Sequence, residues 1–289
     1  MRLGIKPTVD IVFKRIFGSV ESSRLTLGFL NDLLPLAGRP KALSVEILNP
    51  WRLADFRGDK EVAVDVRARD ENGRDFQIEM QVRPDLALEA RMLDNWARLY
   101  SAQIGRGGKY RQHRPVISIW ILDHPFMPTP GWFHCIEARD RESGAALAGD
   151  FLIIAIELSK RAALPDFDEG TILKAGIDRW LYLLAKGAEL DPGSPGLAAV
   201  SADIEEALEI MSVFTRQERA RHSYEKRLDY EQSLNGMIQW ERAEGMAQGM
   251  AQGERMRALE DARRLKALGV ALDIIAEGTG LAREEVEEL

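Results

Sequence analysis

Cysteine is almost missing from this sequence. Cys135 is the only one among 289 residues, which excludes a disulfide framework and a cysteine-based zinc site. The four histidines are scattered without the spacing of metal ligands. The sequence also has no basic and apolar leader and no apolar run near 18 residues. We therefore expect a cytoplasmic protein without a membrane span.

Acidic residues outnumber basic ones overall, but not in the N-terminal part. The formal net charge is −7, yet residues 1–120 carry 20 Lys and Arg against 15 Asp and Glu, while the remaining residues carry 19 against 31. A locally basic domain favours contact with a phosphate backbone. Ordinary unevenness of charge is the alternative. With 45% hydrophobic residues, the chain can bury a substantial core.

Apolar and polar residues alternate strictly on both sides of a turn within residues 60–82. This alternation predicts a hairpin of two strands, each with one buried face. A two-residue turn would mix the two faces. A three-residue loop over residues 71–73, with Gly73 in the left-handed conformation, keeps the faces separate and places Asp65 opposite Glu79. We therefore predict the three-residue loop.

Two carboxylates that face each other across a hairpin need an explanation. Their β-carbons lie only about 5 Å apart, and the two charges repel each other unless a cation sits between them. One interpretation is a divalent-metal site formed by Asp65 and Glu79, with Gln81 on the same face. The other is an amphipathic hairpin with a solvated charged face. The spacing by itself leaves both open.

The N-terminal segment has the apolar spacing of a helix. We predict a helix with Thr8 as its N-cap and Gly18 at its end. Asp10 and Lys14 lie four residues apart on its flank, where they can form an ion pair. An ordinary surface ion pair is the simplest interpretation of these two residues. The apolar stripe of this helix consists of Val9, Val12, Phe13, Ile16 and Phe17.

Six features occur in order along the chain: Asp10-x-x-Phe13-Lys14-x-x-Phe17, Asp65-Val66, Ile78-Glu79-Met80-Gln81, a helix with Arg and Tyr after Gln81, the turn from Gly107 to Tyr110, and Ile156-Glu157-Leu158. Together they resemble the Rpn family of recombination-promoting nucleases, which belongs to the PD-(D/E)XK nuclease superfamily. The resemblance covers roughly residues 5–185.

The resemblance implies an α/β fold with a restriction-endonuclease-like αβββαβ core and a mixed sheet, followed by a helical C-terminal extension. It also implies a metal-dependent DNA endonuclease that uses Mg²⁺ or Mn²⁺. Asp65 and Glu79 would then hold the metal, and Asp10 would add a further acid. Gln81 stands where most relatives have Lys, so it lacks that positive charge. We hypothesise that Lys14 supplies the missing cation.

Strands and helices beyond the hairpin follow from shorter patterns. We predict a helix from Pro84 to Ile104, and a basic, glycine-rich turn after it. Glycines in that turn are primarily helix caps, with phosphate contact as a second interpretation. Further strands are predicted at 43–48, 116–122, 132–137 and 151–157. The predicted buried side of the helix from Pro84 to Ile104 consists of Leu93, Trp96, Ala97, Tyr100 and Ile104.

Several basic side chains are candidates for DNA contact. Arg91 and Arg98 lie seven residues apart on the helix after the hairpin and share one face of it, which suits contact with a phosphate backbone. A solvated face is the alternative. Glu157, in contrast, is interpreted as a structural carboxylate at a strand end. The candidate DNA contacts are Arg67, Arg83, Arg91, Arg98, Arg106 and Lys109.

The C-terminal part is long, polar and favourable for helices. Gly245, Gly249 and Gly253 recur every four residues, which indicates a helix face that packs closely, for example on a second copy of the chain. Residues 265–289 predict two short helices. We therefore expect a nuclease-like domain at 1–190, a helical extension at 191–260 and a small helical tail at 261–289.

The predicted function is cleavage of DNA phosphodiester bonds, associated with recombination or DNA mobility, with DNA as partner and no membrane contact. A homo-oligomer through the C-terminal helices is a further expectation. Two alternatives stay open. One is a nucleic-acid-binding or regulatory protein that keeps the fold but cleaves weakly, and the other is a protein-interaction module built on the C-terminal helices.

Overall fold

The computed structural model describes residues 2–49, 66–105, 108–147, 149–197 and 199–289. A six-stranded sheet forms its centre, in the order β1-β2-β3-β4-β6-β5. The strands are β1 (Val45–Ile47), β2 (Val66–Asp70), β3 (Asp75–Gln81), β4 (Val116–Leu122), β5 (Phe133–Ile136) and β6 (Phe151–Glu157). The helices are α1 (Asp10–Phe17), α2 (Ser23–Leu33), α3 (Leu88–Ala102), α4 (Leu158–Ala162), α5 (Ile177–Lys186), α6 (Ala202–Arg216), α7 (Glu218–Ala267), α8 (Leu272–Thr279) and α9 (Arg283–Glu288).

The sheet is mixed. β1, β2 and β3 form an antiparallel meander, and β3, β4 and β6 run parallel. β5 pairs antiparallel with β6 at the edge. Parallel neighbours require crossover connections, which α3 provides between β3 and β4. The order of elements confirms the α/β fold of the restriction-endonuclease-like type with helices following it.

The hairpin between β2 and β3 has the predicted register. Val66 lies opposite Ile78, and Gly73 adopts a φ of 79°, a left-handed conformation that glycine reaches without steric cost. Asp70 closes the turn, because its Oδ1 accepts from the Arg74 backbone N–H at 2.8 Å and its Oδ2 accepts from Arg74 Nε at 2.5 Å. The three-residue loop is therefore confirmed.

α1 covers one face of the sheet together with α2 and α5. The predicted apolar stripe of α1 is buried, and the Phe17 ring contacts the rings of Phe29 and Trp180 at centroid distances of 5.3 and 5.6 Å. The predicted N-cap is wrong by one residue, because Val9 occupies that position and makes no side-chain cap. Gly18 ends the helix against Val66, where an added Cβ would lie 3.2 Å from the valine methyl group.

α3 covers the opposite face, in a rotation that differs from the prediction. It begins at Leu88, and Leu88 and Met92 pack with Trp120 of β4. The predicted buried side is wrong for Leu93 and Ala97, which are exposed. Contact with the large Trp120 ring fixes which side of the helix faces the sheet, and helical spacing does not reveal such a tertiary contact. The buried residues of α3 are Leu88, Met92, Asn95 and Leu99.

The chain divides into two compact units, Met1–Arg227 and Leu228–Leu289. In the first unit, α6 packs against α1 and α2. The second unit contains α8 and α9, the two predicted short helices, around a small core of Ala262, Ile275, Leu281 and Val286. The division into segments at residues 190 and 260 stays a prediction.

Candidate active site

The polar face of β3 is buried. Glu79 is 6% exposed and Gln77 is 0% exposed, so for this strand the solvated charged face is wrong. Packing of α3 over this face removes it from water. Buried polar groups need hydrogen-bond partners, and Gln77 Nε2 donates to Glu79 Oε1 at 2.9 Å.

The neighbouring strand continues this chain of polar contacts. Ser118 Oγ donates to Gln77 Oε1 at 3.3 Å, and Trp120 Nε1 donates to Ser118 Oγ at 2.8 Å. Each donor is held by its strand, so the Glu79 carboxylate has a defined orientation rather than a freely rotating one. A fixed carboxylate at the end of a central strand suits a ligand or a catalytic group.

Asp65, the predicted partner of Glu79, lies outside the described residues. Its neighbour Val66 pairs with Ile78. The pairing of Asp65 with Glu79 stays a prediction.

Gln81 occupies the last position of β3 and is half-buried. Its Nε2 donates to the Arg83 backbone oxygen at 3.1 Å. Its own backbone oxygen accepts from the Asp123 N–H at 2.9 Å. The Gln81 amide nitrogen is thus used by the chain that leaves the strand.

Asp10 and Lys14 form an ion pair, as their spacing indicates, but a third residue joins them. Asp10 Oδ2 lies 3.9 Å from Lys14 Nζ and 2.7 Å from Arg227 Nη2. Asp10 Oδ1 is buried and has no hydrogen-bond donor in the described part of the chain. A buried carboxylate oxygen of this kind is costly without a ligand or water, so Asp10 is more than a surface ion pair.

The first turns of α7 reach the same region through Tyr224. The Lys6 backbone N–H donates to the Tyr224 hydroxyl at 3.1 Å, and Arg227 follows one turn later on the helix. Partial burial raises the pKa of the Asp123 carboxyl above its ordinary range, and the nearby His124 and Lys6 act in the opposite direction. The N-terminal segment thus contacts α7 through Lys6 and is also near Asp123, the residue that follows β4.

Sequence reasoning missed Asp123 and Arg227. A signal for Asp123 was present, because it directly follows the fully apolar strand β4 and polar residues at strand ends line sites in α/β sheets. No local pattern points to Arg227. Its contact with Asp10 joins residues more than two hundred positions apart, and only the folded chain reveals it.

The candidate DNA contacts lie in different surroundings. Arg98 is exposed and paired with Asp94 at 2.7 Å, and Arg91 is paired with Asp85 at 2.7 Å. The pairing with acids reduces the charge that these two arginines can offer to phosphate. Arg67 and Arg83 are half-buried and Lys109 is exposed, while Arg106 lies outside the described residues.

Glu157 is fully buried at the end of β6 and surrounded by donors. Its carboxylate accepts from the backbone N–H groups of Phe126 and Met127 and from Lys160 Nζ, and it contacts His134 Nε2 at 2.8 Å. Burial by itself would raise the pKa of Glu157, but these hydrogen bonds outweigh it and hold the pKa below its usual range. This environment agrees with a structural carboxylate that anchors the loop after β4.

Within the residues that the structure describes, no three His, Cys, Asp or Glu side chains form a cluster that would hold a metal ion. The available donors are nevertheless of the right kind. The oriented Glu79 carboxylate and the Asp10 oxygen without a donor are the hard oxygen ligands that Mg²⁺ and Mn²⁺ prefer.

Comparison with known families completes the assignment. Residues 7–240 match the PD-(D/E)XK nuclease family transposase. The chain belongs to this family. The match confirms the resemblance seen in the sequence and supports a nuclease-like function for this PD-(D/E)XK protein. No curated protein and no solved structure gives a significant match.

Proposed function

We propose that this PD-(D/E)XK protein is a divalent-metal-dependent DNA endonuclease, associated with recombination or DNA mobility. The observation that carries the proposal is Glu79, which is buried, oriented by Gln77 and placed at the carboxyl end of a central strand. Asp10, Lys14 and Arg227 gather where the N-terminal segment and α7 meet. The family match supports a nuclease-like chemistry for this arrangement.

Glu79 and Asp65 are the residues that would hold Mg²⁺ or Mn²⁺, with Asp10 as a further acid. The metal supplies an activated water and offsets the charge that develops on the phosphate. Gln77 keeps the Glu79 carboxylate in place, which lowers the cost of ordering the site when the metal and DNA bind.

Because Gln81 stands where most relatives have Lys, another residue must supply the positive charge near the scissile phosphate. Gln81 can hydrogen-bond a water but carries no charge. In our proposal Lys14 supplies that charge, and Arg227 holds Asp10 in a fixed position beside it. Arg227 is thus a positioning residue, because it acts through Asp10.

A second candidate function is nucleic-acid binding with weak cleavage. The observation that favours it is the Gln81 amide, which donates to the Arg83 backbone oxygen. A side chain used in this way is less available to orient a water. In this case the fold would serve binding or regulation.

Nicking of supercoiled plasmid by the full chain tests the proposal. We expect cleavage with Mg²⁺ or Mn²⁺, none with chelator, and a loss of at least about 100-fold in Glu79→Gln. Glu89→Gln is a matched control, because Glu89 is exposed on α3, and it should cleave like the wild type. Comparable melting temperatures would show that the variants fold.

The outcomes separate the two candidates. DNA binding without cleavage under either metal would refute the endonuclease and support the second candidate. Cleavage that survives in Glu79→Gln would show that the reactive centre lies elsewhere. Cleavage that is equally lost in Lys14→Ala would support the role of Lys14, and undiminished cleavage in that variant would remove it.

We also propose that α7 mediates self-association. Large apolar side chains on this helix are exposed, among them Trp240 at 64% and Met250 at 65%, and an added Cβ at Gly245, Gly249 or Gly253 would meet open space. Light scattering of the full chain tests this, with a monomer as the contradicting result. In the described residues no helix is long and apolar enough to cross a membrane, and a cytoplasmic location stays a prediction.

A further inference from the structure

Four aromatic rings stack in a row beside the start of β4. The Trp96 and Tyr100 rings lie 4.9 Å apart at an interplanar angle of 17°. The Tyr100 and His113 rings follow at 4.1 Å and 14°, and the Tyr110 ring lies 6.2 Å from His113 at 10°. The nearly parallel planes form one continuous aromatic column.

The inner end of the column is anchored in the protein. Trp96 Nε1 donates to the Val116 backbone oxygen at 3.0 Å, and the Tyr100 hydroxyl donates to Asp150 Oδ2 at 3.1 Å. The outer end is uncovered, since Tyr110 is 88% exposed. The exposed Tyr110 ring is backed by the His113 ring, which stacks in turn on the anchored Tyr100 ring.

The turn that carries Tyr110 is held in shape by hydrogen bonds. The Lys109 N–H donates to Gln112 Oε1 at 3.1 Å, and the Gln112 N–H donates back to the Lys109 oxygen at 2.9 Å. Gln103, which directly follows α3, accepts from the Arg114 N–H at 2.8 Å and donates to the Arg114 oxygen at 3.2 Å. The exposed ring is therefore presented by a preorganised turn.

Positive charge surrounds the exposed ring. Lys109, Arg111 and Arg114 are all exposed, and residues 108–114 contain no acidic residue. An aromatic face with basic neighbours is the combination that binds single-stranded nucleic acid, because bases stack on the ring and phosphates contact the cations. In a duplex the base faces are covered by their neighbours, so such a platform selects unpaired bases.

This surface is separate from the candidate active site. In the parallel pairing of β3 and β4, Val116 lies opposite Asp75 at one end and Leu122 lies opposite Gln81 at the other. Glu79 lies opposite Trp120, four residues beyond Val116, which corresponds to about 13 Å of strand. The turn that carries Tyr110 precedes Val116 and is therefore separate from Glu79.

We propose that Tyr110, with Lys109 and Arg111, forms a stacking platform for an unpaired base of single-stranded DNA. The base stacks on the outer face of the Tyr110 ring, and the flanking phosphates contact the two cations. The platform does not depend on cleavage, so it can exist in either of the two functions proposed above. It would favour substrates with a single-stranded segment.

Binding of an oligothymidylate with one central 2-aminopurine tests the platform, with the full chain kept in chelator so that nothing is cut. We expect Tyr110→Ala to weaken binding roughly 5- to 100-fold and to remove the quenching of 2-aminopurine that stacking produces. Tyr110→Phe keeps the ring and should bind within about twofold of wild type. Leu147→Ala, which removes another exposed large apolar side chain outside the platform, is the matched control and should bind like the wild type.

Charge and stacking are separated by two further measurements. Changing Lys109 and Arg111 together to Ala should reduce the slope of log affinity against log salt by about 1.4, since each phosphate contact to a single strand contributes about 0.7. Duplex of the same length should be insensitive to Tyr110→Ala. Two results would overturn the proposal. One is equal affinity of wild type and Tyr110→Ala for single strands, and the other is equal affinity of the wild type for a fully abasic strand and for the oligothymidylate.

Discussion

The two ends of the β3–β4 pair are both polar, but they are assembled in different ways. At the amino end, Asp75 accepts from Arg69 Nε and Nη2 at 2.6 and 3.1 Å, and Asp70 pairs with Arg74. The partners in these two ion pairs are at most six residues apart in sequence, and a longer-range hydrogen bond, from Gln103 Nε2 to Asp75 Oδ2 at 3.0 Å, joins them. The ion pairs of the amino end are therefore local contacts within one hairpin.

The carboxyl end is built from segments that are distant in sequence. Glu79 lies two residues before the end of β3 and Asp123 directly follows β4, whereas Asp10 of α1 contacts Arg227 near the start of α7. Bringing such segments together costs chain entropy, which the fold must offset by packing elsewhere. In our proposal, the local ion pairs at the amino end stabilise the sheet, while the carboxyl end holds the groups for chemistry.

The largest effect that sharpens this comparison is expected at Arg227. Arg227→Met should reduce DNA cleavage roughly 10- to 100-fold, because Asp10 loses the contact that positions it. The loss should fall on kcat more than on KM and should be accompanied by weaker Mn²⁺ binding in calorimetry. Arg227→Lys should restore part of both.

The matched control for this change is Arg221→Met on the same helix. Arg221 pairs only with Glu225 among the described residues and is exposed, so its loss should leave both readouts unchanged. Equal effects of the two variants would show that α7 acts by general stability rather than through Asp10.

The next effect concerns the amino end. Asp75→Ala should lower the free energy of unfolding by about 2 kcal/mol, because Arg69 and Gln103 lose a buried acceptor while Arg69 regains water. Urea unfolding measures the loss. Cleavage by the folded protein should be retained. A loss of cleavage without a loss of stability would contradict the assignment of a stabilising role to the amino end.

A pH-dependent effect is expected at Glu157, the buried carboxylate of β6. Its pKa is lower in the folded chain than its ordinary value of 4.5, so it contributes stability above pH 4.5 that is lost as the pH falls through the lower, folded pKa. At pH 7, Glu157→Gln should cost about 1.5 kcal/mol. The difference from wild type should shrink on acidification, and a constant difference between pH 7 and pH 3 would contradict the assignment.

The smallest effect is expected in the turn of the hairpin. Gly73→Ala should cost about 1 kcal/mol, since a side chain at a φ of 79° is strained. An added Cβ would also lie 3.3 Å from Arg114 Cγ. Gly73→Asn should cost less, because Asn tolerates this conformation. Thermal unfolding of both variants distinguishes backbone strain from crowding. If crowding dominates, Gly73→Asn should lower the melting temperature more than Gly73→Ala.

Much of the fold was predictable from local pattern. The alternation in the hairpin predicted the register of β2 and β3, and the stripe from Val9 to Phe17 predicted the buried side of α1. The prediction failed for α3, where Leu93 is exposed. That helix has apolar residues on more than one side, and only the contact with Trp120 decides which side faces the sheet.

The candidate site was predictable only in part. Glu79 and Gln81 follow from the alternation and the family motif, and Asp10 follows from the motif at the N-terminus. Burial of the polar face of β3 was not predictable, because alternation gives the same pattern whether the polar face meets water or a covering helix. The pairing of Asp65 with Glu79 stays a prediction.

By itself, the sequence determined the hairpin, the order of strands and helices, the family and the acids that carry its motifs, since all of these depend on neighbours within a few residues. Only the tertiary structure decided that Arg227 meets Asp10, that Asp123 adjoins Gln81 and that Tyr110 caps an aromatic column. The physical reason is sequence separation. Contacts between distant segments depend on how whole elements pack, and no local pattern of side chains encodes that packing.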